Sequence, residues 1–294
     1  MKLSSILLFT PAFVLAAITI LYPLAVSLYI SLHEISPLGW TFVGLKHYAE
    51  MLTNFYFYQS LAISVVYTLM SVLAALSLGL FTALLVRQLG RGRGFAEGFF
   101  AVPLAVSPIL VGIVWSPPAV WDDLNALLHY AFSLPFIDVT DPVIYFPVMV
   151  LSEAWVWSPL FMLAVMVVLD SLPKDCLEAA ELTGASRLQM LSLVYLPAVL
   201  RSRVIAMLVA LKAVDFFRSF EVPFAWSFWV RETQLGAATD TLSLMLFKLL
   251  ITPPAGPTTP VPYISAVSTA LMLVSLGFSL FAFRQLSMFW RRTM

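Results

Sequence analysis

The stretch from residue 60 to 86 reads SLAISVVYTLMSVLAALSLGLFTALLV, and Arg87 ends it. No acidic or basic side chain interrupts it. A helix needs about 20 apolar residues to cross the hydrocarbon core of a bilayer, so this block is long enough to span one. It lacks the alternation at every second position that a membrane barrel strand requires. Working outward, similar blocks at 6–31, 98–120, 143–169, 204–226 and 263–283 predict six spans in all. The third holds Pro103, Pro108, Pro117 and Pro118, so it is expected to kink or end early. The fold class that follows is all-α, a polytopic membrane protein of six transmembrane helices in one domain over residues 1–294.

Composition agrees. The chain is 61% hydrophobic and 11% charged, whereas a soluble domain carries about a quarter charged residues. Its net charge is zero, which gives no electrostatic footing for nucleic acid. The one cysteine, Cys176, excludes an internal disulfide and is expected as a small, partly buried, reduced side chain. The apolar run from Ile6 to Ser31 exceeds the 7–15 residues or so of a signal-peptide core, so it reads as an uncleaved first helix.

Lysine and arginine set the orientation. With the N-terminus inside, eleven fall on the inner side: Lys2, Arg87, Arg91, Arg93, Lys174, Arg187, Arg201, Arg203, Arg284, Arg291 and Arg292. Three fall outside, Lys46, Arg231 and Lys248. Both termini are therefore expected in the cytoplasm. The outer segments carry Asp122, Asp123, Asp138 and Asp141, the aromatic-rich residues 32–59, and a proline-rich stretch at 252–262. Aromatic rings favour the membrane–water boundary. An internal repeat, which would favour an inverted-repeat secondary transporter, is absent from the sequence.

Residues 172–197, LPKDCLEAAELTGASRLQMLSLVYLP, differ from everything around them. They start polar and lie between the fourth and fifth spans. Pro173 suits a first helical turn, and Asp175 and Glu178 complement a helix N-terminus. Gly184 can end that helix in a left-handed conformation. Ser186 can cap a second helix, with Gln189 three residues on completing a capping box. Leu188, Leu191 and Tyr195 recur at helical spacing, and Pro197 closes the segment. The prediction is a short helix, a glycine turn and a second helix on the inner membrane surface.

Glu178-Ala179-Ala180, Gly184 with Ala185, Val194 and Leu196-Pro197 together resemble the EAA loop of binding-protein-dependent ABC importers. The family's usual Ile is Val194 here, and its frequent Asp before the glycine is Thr183. Trp155-Val-Trp-Ser-Pro159, Leu124–Leu128, Lys212–Glu221 and Thr239–Leu244 resemble other segments of the carbohydrate and glycerol-3-phosphate permease class. The likeness runs from about residue 95 onward, within a family core of about 60–284. The family's glycine-rich outer turn is replaced by Trp226–Glu232, and the proline-rich loop is an apparent insertion. The resemblance implies a permease subunit in the bacterial inner membrane, half of a translocation path for a sugar, polyol or glycerol-phosphate-like solute. It implies a second, homologous permease (a heterodimer), a cytoplasmic ATPase dimer, an extracytoplasmic solute-binding protein and surrounding lipid as partners. Glu178, Ala179, Ala180, Gly184, Ala185, Leu196 and Pro197 would form the ATPase-coupling surface. The sequence has no GxxxxGK[ST] phosphate loop, so ATP and Mg are expected on the partner ATPase, with no cofactor or metal in this chain.

Within the fifth block, Lys212, Asp215, Arg218 and Glu221 alternate in sign every three residues. Such charges in a membrane face water or the protein interior. They form either part of the path or a ladder of ion pairs that orders the bundle. Glu153, Trp155, Trp157 and Phe220 join Asp215, Arg218 and Glu221 as candidate path residues, the tryptophans as stacking surfaces for sugar rings. His33, His47 and His129 lack metal-ligand spacing, and no nucleophile–base pair is readable. An ion-driven secondary transporter subunit is the alternative function. A membrane-embedded enzyme would need clustered catalytic residues.

Overall fold

A computed structural model of the chain describes residues 10–291 except 12, 13, 16, 118, 140, 229–239 and 253–259. After a π-helical turn at Ala17–Leu21 come α1 (Tyr22–Ser31), β1 (His33–Ser36), β2 (Gly39–Phe42) and α2 (Lys46–Thr53). The long α3 (Phe55–Arg87) follows, then α4 (Arg93–Ala101), a 3-10 turn at Val102–Ala105, α5 (Pro108–Trp115) and α6 (Ala119–Phe132). Next are α7 (Pro142–Asp170) and α8 (Lys174–Leu182). The short α9 (Arg187–Gln189) runs through a π-helical segment, Met190–Tyr195, into α10 (Leu196–Arg201). Last are α11 (Arg203–Phe217), α12 (Glu221–Ser227), α13 (Leu242–Ile251) and α14 (Val261–Arg291). Two described helices, Phe55–Arg87 and Val143–Asp170, are each long and apolar enough to cross a membrane.

The chain divides into two compact units, residues 1–59 with 245–278, and residues 60–244 with 279–294. In the first, the aromatic segment at 32–59 folds into a β1–β2 hairpin and α2. The antiparallel register pairs His33 with Phe42 and Ile35 with Trp40, which puts an aromatic face on one side of the hairpin. Lys46 donates to Glu34 at 2.9 Å and ties the hairpin to α2. Ser27 and Thr269 hydroxyls lie 3.3 Å apart between α1 and α14.

The second unit is built around α3 and α7. Ser71, Ala75, Gly79 and Ala83 recur every four residues along one buried face of α3. A Cβ on Gly79 would stand 2.5 Å from Phe161 Cβ and 2.8 Å from the Met162 nitrogen, so the two backbones touch there. Lipid tails are as apolar as leucine, so helices in a bilayer associate by such close packing at small residues. Near the 172–197 loop, Ala83, Val86, Ala96, Met162, Val165, Leu169, Val199 and Ile205 form one core. Towards the other end of α7, Tyr67, Tyr145, Met149, Val222 and Trp226 form another.

Prolines break the predicted third span as expected. Ser107 is extended ahead of Pro108 (ψ 133°), and the chain becomes α4, a 3-10 turn, α5 and α6. The predicted fifth span, 204–226, is interrupted: α11 stops at Phe217 and α12 starts at Glu221. That break separates Arg218 from Glu221, so of the expected charge ladder only the Lys212–Asp215 rung forms among the described residues, at 2.8 Å. Cys176, expected partly buried, is exposed on its face of α8. The 253–259 and 229–239 segments of the outer loops lie outside the described residues.

Candidate functional site: a capped helix–turn–helix loop and a buried polar knot

The 172–197 loop is assembled by its own sequence. Gly184 adopts φ +75°, a region costly to residues with a Cβ. The Ala185 N–H reaches back to the Ala180 carbonyl at 3.1 Å, closing α8 with a 6→1 bond. Gln189 N–H donates to Ser186 Oγ at 3.3 Å, and Ser186 N–H donates to Gln189 Oε1 at 2.8 Å, the predicted reciprocal box. The π-helical turn was not legible from the pattern. Pro197 has no N–H for the Leu193 carbonyl, and just before it the Leu196 N–H bonds the Leu191 carbonyl, one residue wider than an α-helix. At Ser202 the helical run 187–201 turns by 64° into the run 203–227 that begins with α11.

Tyr195 and Ala198 pack against the core shared by α3, α4 and α7, which anchors the second helix. The outer face of the loop is bare. Glu178 and Ala179 are exposed, with Ala180 and Ala185 half-buried. Leu182, Leu188 and Leu193 are 88%, 73% and 72% exposed. Leu188 therefore faces away from the core that Tyr195 enters, although both share a helical spacing. Leu196 is partly exposed and Pro197 half-buried.

The second constellation lies within the bundle. Glu153 on α7 is buried, and three donors converge on its carboxylate. Tyr67 Oη of α3 (3.0 Å) and Ser219 Oγ (3.3 Å) donate to Oε2, and Trp157 Nε1 (3.2 Å) donates to Oε1. Lys212 Nζ sits 2.9 Å from the centroid of the Trp157 ring and also donates to Asp215. The predicted stacking face of Trp157 is thus taken by an ammonium group of α11. A buried polar group costs free energy unless bonded, and here both oxygens of Glu153 have a donor.

Ser219 lies in the break between α11 and α12. The carbonyls of that break are satisfied by side chains: Ser243 Oγ donates to Arg218 O (3.1 Å) and Thr241 Oγ1 to Ser219 O (3.0 Å). Ser64 Oγ of α3 accepts from the Leu242 N–H at 2.9 Å. Non-helical backbone at membrane depth survives only with such partners. Tyr67, Ser64, Ser219, Thr241 and Ser243 were all missed in the sequence reading. The available signal was the run Ser60, Ser64, Tyr67, Thr68 and Ser71, polar positions at helical spacing inside an apolar block.

Of the expected path residues, Glu153, Trp157 and Asp215 come together. Trp155 is half-buried against Trp115, with centroids 6.0 Å apart. Phe220 stacks on Phe224 at 4.9 Å. Arg218 and Glu221 are exposed at the two edges of the break.

No protein-family model matches the chain. It is 27% identical over 218 residues to the trehalose transport system permease protein SugA of Mycobacterium tuberculosis, covering 73% of this chain and 70% of the other. It is 26% identical over 247 residues to the trehalose/maltose transport system permease protein MalF of Thermococcus litoralis, covering 82% and 81%. In fold it matches a chain of a bacterial ABC transporter involved in import of the acidic polysaccharide alginate. That match has a TM-score of 0.70 at 19% identity over 99% of this chain and 96% of the other. In sequence over most of its length the chain is similar to permease proteins of sugar transport systems, and over nearly all of its length it has the fold of a chain from a bacterial ABC transporter.

Proposed function

We propose that the chain is the membrane-spanning permease subunit of a binding-protein-dependent ABC importer, carrying a sugar, polyol or glycerol-phosphate-like solute. The observation that carries this is the likeness to two permeases of trehalose and maltose transport over more than two thirds of each chain. The same fold occurs in an alginate ABC transporter crystallised with a pentasaccharide-bound periplasmic protein, which supports a binding-protein partner. The chain crosses the bacterial inner membrane six times with both termini inside. It pairs with a homologous permease and rests on an ATPase dimer, which holds ATP and Mg.

Coupling runs through residues 172–197. Leu182, Leu188 and Leu193 of this loop are exposed, as are Asp175 and Glu178, and exposed apolar side chains with acidic groups on the same loop suit a docking surface. Glu178 pairs there with a basic side chain of the ATPase, and the bend at Gly184 sets the angle of the two helices. The loaded binding protein docks outside, ATP closes the ATPase dimer, and the loop turns that closure into helix movement. The path then opens outward to receive solute, and hydrolysis resets it.

The test is purification of the tagged chain from its native membrane with its ATPase, alongside solute uptake. Glu178→Ala with Gly184→Ala is expected to lose both. Retained ATPase and normal uptake would refute the coupling assignment. For the path, Asp215→Asn separates two roles: normal assembly with lost uptake supports a path residue, whereas lost assembly supports a bundle-ordering one.

A further inference from the structure

Both stems of the 172–197 loop are held by arginines from one short segment, residues 87–93. At the first stem, Asp170 is the last residue of α7, and the Arg93 guanidinium forks onto both its carboxylate oxygens. Arg93 is itself oriented by Glu97, one turn on in α4, at 2.8 Å. At the second stem, Tyr195 ends the π-helical segment, and Arg87 Cζ lies 5.3 Å from the centroid of its ring. Beneath these contacts Val86, Ala96, Leu169, Leu172 and Tyr195 share one apolar core.

We propose that Arg87 and Arg93 are positioning residues that clamp the loop to the α3–α4 junction, so that any rotation of the loop carries α3 and α4 with it. A loop attached only through its chain ends can swing about the axis through its stems. Ties from one neighbouring segment to both stems remove that freedom. A forked guanidinium–carboxylate contact fixes direction as well as distance, and a cation within about 6 Å of an aromatic ring is attracted to its face. Movement delivered to α8 is then shared by four helices, α3, α4, α7 and α11, rather than by the two that flank the loop. That motion comes from an ATPase is the reading proposed above; the clamp is a property of this chain alone.

The one cysteine, Cys176, is exposed on α8, which makes the test direct. The full chain in lipid nanodiscs carries one nitroxide on Cys176 and a second on Leu89→Cys, and the distance between them is read by pulsed electron resonance. The otherwise native chain gives a narrow distribution. Arg93→Glu loses the narrow peak. Arg93→Glu with Asp170→Arg restores it, since the guanidinium then placed at position 170 meets two carboxylates, the one introduced at position 93 and that of Glu97. Tyr195→Leu broadens the distribution, whereas Tyr195→Phe keeps it because the ring is retained. A distribution unchanged by Arg93→Glu, or a double reversal that fails to restore the peak, overturns the clamp. If Arg93→Glu alone does not fold, recovery of fold and peak in the double reversal supports it. No ATPase is present in this experiment, so its outcome is separate from that of the Glu178 and Gly184 test.

Discussion

Replacing Gly79 by alanine should loosen the whole second unit, and the size of the effect follows from one contact. The added Cβ would stand 2.5 Å from Phe161 Cβ, 2.8 Å from the Met162 nitrogen and 2.9 Å from the Phe161 carbonyl carbon. Carbon atoms in contact sit about 3.5–4.0 Å apart, so α3 and α7 must separate by roughly 1 Å. None of the three atoms is the free end of a flexible side chain, so the neighbours cannot yield by changing rotamer. Overpacking of this kind costs about 1–3 kcal/mol. Against it stands a helix-propensity gain of about 1 kcal/mol for Gly→Ala. Gly98, inside α4, has nothing within 4 Å of its Cβ position, so Gly98→Ala takes the gain alone. The propensity gain is common to both variants, so their stabilities should differ by the overpacking cost, about 1–3 kcal/mol, with Gly79→Ala the weaker. Equilibrium unfolding by SDS in mixed micelles, followed by tryptophan fluorescence, measures both. Equal stability of Gly79→Ala and Gly98→Ala would refute the close helix contact and with it the reasoning.

Glu153→Ala leaves Tyr67 Oη, Ser219 Oγ and Trp157 Nε1 without their acceptor, a loss of about 1–3 kcal/mol for each group left unsatisfied. Glu153→Gln, which keeps one acceptor oxygen, should fall between, and the same unfolding assay ranks the three. Gly184→Ala forces a Cβ into φ +75° at about 1–2 kcal/mol, and should raise amide exchange at Ala185 and Ser186 while leaving α7 protected. In the hairpin, the hydrogen bond from Lys46 holds the Glu34 carboxyl below the ordinary glutamate value. A depressed folded-state value means the pair's contribution is present above the unfolded value and lost as pH falls through the folded one. Carbon-13 titration of Glu34 should therefore shift upward in Lys46→Met, and an unchanged titration would exclude the pair.

The long apolar blocks, the proline-broken third segment and the capped helix–glycine–helix loop were all legible in the sequence. Each depends on interactions within a few residues: a run of apolar side chains, a missing N–H at Pro108, a left-handed Gly184, and a Ser186–Gln189 box whose partners are three residues apart. Local chemistry decides such features wherever the segment is placed. The hairpin at His33–Phe42 escaped notice because aromatic richness speaks of an interface rather than of strand pairing.

What the sequence by itself determined, then, is a membrane-spanning chain with one polar loop of defined shape. Only the tertiary structure decided which polar residues meet. Tyr67 and Ser219 stand 86 and 66 residues from Glu153 in the chain, and no periodicity announces that they share its carboxylate. The ladder of ion pairs, one of two readings open for Lys212–Glu221, is reduced among the described residues to its Lys212–Asp215 rung. A three-residue spacing pairs charges only while the helix continues, and the chain breaks at 218–220, where Ser219 turns to Glu153 and the Thr241 and Ser243 hydroxyls donate to the freed carbonyls. The clamp of Arg87 and Arg93 on the loop stems is likewise tertiary, set by how α3 and α4 pack beside α7. Short-range bonding shaped the loop, and packing between distant helices decided what holds it.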